Sequence, residues 1–132
     1  MRYKRPDRKN ALSIIEAAKR DMDYTISIKV SDASGATIVR NIYECFRMLG
    51  DALLVEKGID SKDHILPIKE VMKLDIRTER PVNLIDNLRK LRHNINYYGY
   101  KPNLEEVKDV ISIANSIFLP VYIAVKEKIN KE

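Results

Sequence analysis

Apolar residues recur at spacings of three and four through most of this chain, so its dominant period is that of amphipathic helices. The longest stripe is Leu104, Val107, Ile111, Ala114, Phe118, Val121 and Val125. Asn103 stands where an N-cap belongs, and Glu106 where a capping box needs its return acceptor. Pro120 falls inside the stripe and predicts a bend rather than an end, because the pattern resumes beyond it. A second helix is read from Ser34 to Glu56 on Val39, Ile42, Phe46, Leu49 and Leu53, with Ile38, Cys45 and Ala52 beside them and Gly58 as its stop.

Upstream, Asp7 is a cap for a helix striped by Ala11, Ile15, Ala18 and Met22 and widened by Leu12 and Ile14. Tyr24, Ile26, Ile28 and Val30 then alternate as a strand would. No second strand pattern stands ready to pair with them, so the helix is expected to continue. From Ser61 to Arg80 a shorter, irregular helical piece carries Ile65, Ile68, Val71 and Met72 and is interrupted at Pro67. The next runs from Val82 to Tyr98 on Leu84, Leu88, Leu91, Ile95 and Tyr98, closed by Gly99 as a left-handed C-cap with Pro102 just beyond. Four substantial helices and a minor one, joined by short connections, predict an all-α, up-and-down antiparallel four-helix bundle with one additional short helix, a single domain over residues 1–132.

Composition narrows the partners. Of 132 residues, 45% are hydrophobic and 33% charged, enough for a core without staples. Cys45 stands alone, so no internal disulfide forms, and a reducing, cytoplasmic compartment is expected. The basic start and the early charges Glu16, Lys19 and Arg20 predict no secretory signal. The longest uncharged run, Val110 to Val125, is short and polar for a bilayer crossing, so no membrane span is expected. Lys and Arg number 24 against 19 Asp and Glu, a net +5 that permits an anionic partner.

That excess is local. Residues 1–9 contribute +4, and so does the stretch from Arg89 to Lys101, which holds four cations, no acid and three tyrosines, Tyr97, Tyr98 and Tyr100. Cations bind phosphates and aromatic faces stack on bases, so this mixture suits single-stranded nucleic acid or a nucleotide. The plainer reading is a solvated helix end, since helix C-termini favour basic residues. On a helical wheel centred on Leu84, Leu88, Leu91 and Ile95, Arg92 falls roughly 80° from the stripe, while His93 and Tyr97 point away from it. An Arg at such a border either snorkels or holds a fixed guanidinium in a cleft or dimer seam.

A four-helix chain of this length with Arg92-His93-Asn94 near the end of a late helix resembles the HEPN domain family. The family signature is Arg, then a polar residue, then His after four to six intervening residues. Arg92 takes the first place and His93 the second. The slot for the motif histidine spans Tyr97, Tyr98 and Gly99, so that histidine is replaced. The resemblance implies a compact bundle, a homodimer with facing motifs, and either a metal-independent ribonuclease or a partner of a small nucleotidyltransferase. Tyr is a poor substitute in acid–base chemistry: its reference pKa lies about 3.5 units above that of His, about 5 kcal/mol for forming the base near neutral pH. The expected function is therefore binding of RNA or a nucleotide through Arg89, Arg92, His93, Asn96 and Tyr97, with little catalysis. The alternatives are a toxin-like endoribonuclease using Arg92 and His93, and an interaction partner of a nucleotidyltransferase.

Other candidates are read as structural. Asp60, Asp63 and His64 mark a helix start capped by Asp60 or Ser61, so neither a metal nor a cofactor is expected. Asp32-Ala-Ser-Gly-Ala-Thr37 lacks a phosphate-loop ending and reads as another helix start. Cys45 reads as a small core residue, and Arg2, Lys4, Arg5, Arg8 and Lys9 as a frayed, solvated start.

Overall fold

The computed structural model describes residues 2–60, 62–63 and 65–131. Its elements are β1 (Arg2–Tyr3), α1 (Arg8–Ser27), α2 (Gly35–Glu56), β2 (Ile59–Asp60), α3 (Ile65–Met72), α4 (Leu84–Tyr98) and α5 (Leu104–Asn130). The fold is the all-α bundle that the periodicity predicts, with one short helix added. Helix α2 is central and packs on all four of the others. Hence Ile38, Val39, Ile42, Tyr43, Phe46 and Leu49 are all fully enclosed, on a wider sector than one stripe covers. Phe46 meets Phe118 of α5 edge to face at 5.5 Å, an aromatic pair at the middle of the core. At Gly50 a Cβ atom would lie 2.0 Å from the Pro67 carbonyl oxygen, so only glycine admits α3 this close to α2.

Several helix ends follow the sequence. The Asp7 carboxylate accepts from the Asn10 N–H at 2.9 Å. Asn103 and Glu106 complete a reciprocal capping box. Helix α5 runs through Pro120 without ending, and Gly99 closes α4 at φ +63°. At 27 residues α5 is also long and apolar enough to cross a membrane by those measures alone, and its buried side chains, from Val107 to Ile129, form part of the core.

Four expectations about the helices are corrected, the first in that the minor helix spans Ile65–Met72 and does not reach Arg80. Helix α1 stops at Ser27, where the Ser27 hydroxyl donates to the Tyr24 carbonyl and Ile28 turns to extended backbone at ψ 131°. Ile28 and Val30 then pack on the core from a loop, since β-branched side chains are least constrained there. Pro67 does not interrupt α3 but stands in its first turn, where a missing N–H costs no intrahelical bond. The cap of α3 is Asp63, whose carboxylate accepts from the N–H groups of Ile65 and Leu66, while Asp60 lies in β2. Ser61 and His64 fall outside the described residues.

The start of the chain is tied down rather than frayed. Tyr3 pairs with Ile59, the Lys4 N–H donates to the Gly58 carbonyl, and the Asp7 N–H donates to the Val55 carbonyl at 3.2 Å. Beside this anchor, the buried Glu70 carboxylate accepts from Lys57 at 2.7 Å and from Lys73 at 3.0 Å. Burial pushes its carboxyl up, and the two ammonium groups outweigh that and hold it below the usual range.

Candidate functional site

The buried line of α4 differs from the predicted one. Ile85, Leu88 and Ile95 are enclosed, Leu84 and Leu91 are half-buried, and Tyr98, placed on the stripe by spacing, is 76% exposed. The sequence Ile85, Leu88, Arg92, Ile95 steps by three, four and three, so Arg92 lies on the inward arc itself. Its guanidinium carbon stands 5.6 Å from the centre of the enclosed Tyr43 ring of α2. A cation over an aromatic face at this depth is worth about 1–2 kcal/mol and holds the head group in one place. Burial raises the Tyr43 hydroxyl pKa, and the nearby cations, Arg92 first among them, act against that rise. Tyr43 was missed in the sequence although it follows Ile42 on the apolar stripe of α2. Nothing in the spacing tells which residue of a neighbouring helix will meet it.

The remaining cations of the stretch are held by carboxylates. Arg89 bonds Asp86 at 2.8 Å, Lys90 approaches the same group at 3.6 Å, and Lys101 lies 3.9 Å from Asp32. The Arg89 bond is the main reason the Asp86 carboxyl sits below its usual range. Among the described residues no carboxylate meets Arg92. Two carboxylates thus offset half of the local +4, and Arg92 remains as a positioned cation with no carboxylate beside it among the described residues.

Rings gather on the adjacent stripe. His93 lies 4.6 Å from Tyr97, centre to centre, with the planes tilted by 40°, and 5.8 Å from Tyr98 edge to face. Tyr97 is 67% exposed, and Asn96 is exposed one turn beyond Arg92. Tyr100 belongs elsewhere: its hydroxyl donates to Glu106 Oε1, the oxygen that also accepts the Asn103 N–H, so it braces the turn from α4 into α5. The face therefore has two parts, Arg92 with Asn96 on one stripe and the His93 and Tyr97 rings on the next.

The same geometry separates the two residues a ribonuclease would need together. Neighbours on a helix diverge by about 100°, and His93 rests on tyrosine rings rather than beside Arg92. Cys45 is 1% exposed and burial pushes its thiol up to about 12, which leaves it protonated and inert near neutral pH. No group of His, Cys, Asp and Glu suited to a metal ion occurs among the described residues. The hollow lined by Arg8, Lys9, Leu12, Ser13, Glu16 and Arg20 lies on α1, away from the α4 face. No family model, no curated protein and no solved structure matches this chain.

Proposed function

We propose that the exposed C-terminal half of α4 binds single-stranded RNA or a nucleotide. Arg92 holds a phosphate, Asn96 and His93 add polar contacts, and Tyr97 offers a stacking face or its hydroxyl. The observation that carries this reading is Arg92 seated on Tyr43 with no carboxylate partner among the described residues, one helical stripe from the exposed His93 and Tyr97 rings. A guanidinium and an aromatic face at neighbouring positions are what a phosphate linked to a base requires. The HEPN-like order of Arg92 and His93 supports the same face.

Catalysis is expected to be weak, because Arg92 and His93 diverge and the slot of the motif histidine holds Tyr97, Tyr98 and Gly99. Filter binding with labelled RNA at two salt concentrations tests the proposal. The expected result is a salt-sensitive affinity that falls tenfold or more in Arg92→Ala. No measurable affinity, or none lost in that variant, overturns it. RNA cleavage that persists in EDTA and vanishes in both Arg92→Ala and His93→Ala would favour the ribonuclease instead.

A further inference from the structure

Between α3 and α4 the segment from Leu74 to Thr78 is neither helix nor strand, and among the described residues no strand pairs with it. Exposure alternates along it with a period of two. Met72, Leu74, Ile76, Thr78 and Arg80 are half-buried, and Lys73, Asp75, Arg77 and Glu79 are exposed. Leu74 and Ile76 pack on the helical core, and the period of two is that of a chain running with one face seated on the bundle and the other on solvent. Its ends are fixed. The Leu74 N–H donates to the Val71 carbonyl, and Arg80 reaches Asp109 at 2.8 Å and Ser112 at 3.4 Å on α5. Among the described residues, no backbone hydrogen bond is made by the N–H groups of Asp75, Ile76, Arg77 or Thr78. These N–H groups are the kind a partner strand would engage.

The outward side chains carry an ordered charge pattern, plus, minus, plus, minus at Lys73, Asp75, Arg77 and Glu79. No ion pair within the described residues engages Asp75, Arg77 or Glu79, and Lys73, paired with Glu70, stays 71% exposed. This order is complementary to its own reverse. An antiparallel pairing with a two-fold axis at Ile76 sets Asp75 opposite the Arg77 of a second copy, and Arg77 opposite its Asp75. Where the backbone begins to turn, Lys73 meets Glu79. Opposite charges directly across an antiparallel pair stabilise it, and like charges destabilise it.

The registers centred on Asp75 and on Arg77 fail, and those centred on Leu74 and on Thr78 bring only one kind of opposite pair, Lys73 with Asp75 or Arg77 with Glu79, where the Ile76 register brings two. A shift that centres the pair on Asp75 sets Asp75 against Asp75 and Lys73 against Arg77. One centred on Arg77 sets Arg77 against Arg77 and Asp75 against Glu79. A shift by a single residue turns the seated face, Leu74 and Ile76, out to water. We infer that the segment from Leu74 to Thr78 is the pairing strand of a homodimer, joined antiparallel to the same segment of a second copy about Ile76. The strand pair is small beside the roughly 800 Å² per partner of a standard interface, so the dimer is a weak one that forms with rising concentration.

Sedimentation equilibrium of the whole chain, without RNA, from about 10 μM to 1 mM tests this. The expected mass rises from the 15.3 kDa of one chain toward twice that value. Asp75→Arg and Arg77→Asp each place like charges opposite one another, and each is expected to weaken association tenfold or more. Mixed in equal amounts, the two variants set two positive side chains against two negative ones at positions 75 and 77, with Lys73 still opposite Glu79, and association is expected to return. Thermal unfolding unchanged in both singles shows that the fold survives. A monomer throughout overturns the inference, as does a dimer indifferent to both substitutions, or a mixture that stays monomeric.

Discussion

Two stretches of the chain carry the same charge and end in different roles. Residues 1–9 and the stretch from Arg89 to Lys101 each contribute +4. Folding sets them at opposite ends of α2. The Asp7 N–H bonds Val55 near the C-terminus of that helix, while Lys101 approaches Asp32 and Pro102 lies beside Gly35 at its start. Twenty residues of helix lie between Gly35 and Val55 and twelve between Tyr43, beneath Arg92, and Val55, which sets the two basic stretches about 18–30 Å apart along the axis. The first stretch is held by its backbone, and its cations Lys4, Arg5, Arg8 and Lys9 stand exposed. The second holds a side chain, Arg92, against Tyr43 and gathers rings beside it. Equal charge becomes a candidate site only where a tertiary contact fixes the geometry of a cation.

The comparison breaks most sharply at its two left-handed glycines. Gly58 has φ +76°, and a Cβ there would lie 2.3 Å from the carbonyl oxygen of Lys4, whose N–H anchors the N-terminal segment on the Gly58 carbonyl. Gly58→Ala is expected to cost about 3 kcal/mol in urea unfolding, from strain and clash together, with RNA affinity intact. A change below about 0.5 kcal/mol would show that the anchor is dispensable. Next comes Arg92→Ala, with a ten- to hundredfold loss of RNA affinity, about 1.4–2.8 kcal/mol. Removing Arg5 and Lys9 together should cost less than threefold, and an equal loss at both ends would erase the distinction.

Smaller effects sharpen the contrast. Gly99 has φ +63°, yet a Cβ there meets nothing within 4 Å, so Gly99→Ala is expected to cost only about 1 kcal/mol by the same assay. The smallest effect is one of pH. The folded Glu70 carboxyl lies below its ordinary 4.5, so its contribution is complete above that value and is lost as pH falls through the folded pKa. Melting temperatures measured from pH 6 to 3 should therefore drop in acid, and Glu70→Gln should lower the neutral plateau and flatten that acid limb. An unchanged limb would separate Glu70 from the stability of the N-terminal end.

Periodicity and capping chemistry made much of the fold legible. The cap at Asp7, the box at Asn103 and Glu106, the stop at Gly99 and the stripe of α2 each depend on residues close in sequence. The tail of α1 was misread because Tyr24, Ile26, Ile28 and Val30 are compatible with helix, strand or loop, and packing on the core chooses among them. The stretch from Lys73 to Arg80 was misread as helix for a related reason. Its alternation of charged and apolar residues is plain in the sequence, but a segment lying on helices has no partner strand to announce it.

At the candidate site the residue types were legible and their standing was not. Arg89, Arg92, His93, Asn96 and Tyr97 all lie on α4 as expected, yet Arg89 is tied to Asp86, and the buried arc passes through Arg92 rather than beside it. The sequence by itself determined the helical period, the helix ends and the local excess of charge, because these depend on neighbours within about four residues. Tertiary structure alone decided which cation has no carboxylate beside it among the described residues, that Tyr43 lies beneath it, and that the two basic stretches stand apart along α2. Those depend on how helices distant in sequence pack, and a rotation of one helix by a few tens of degrees decides which side chain meets which.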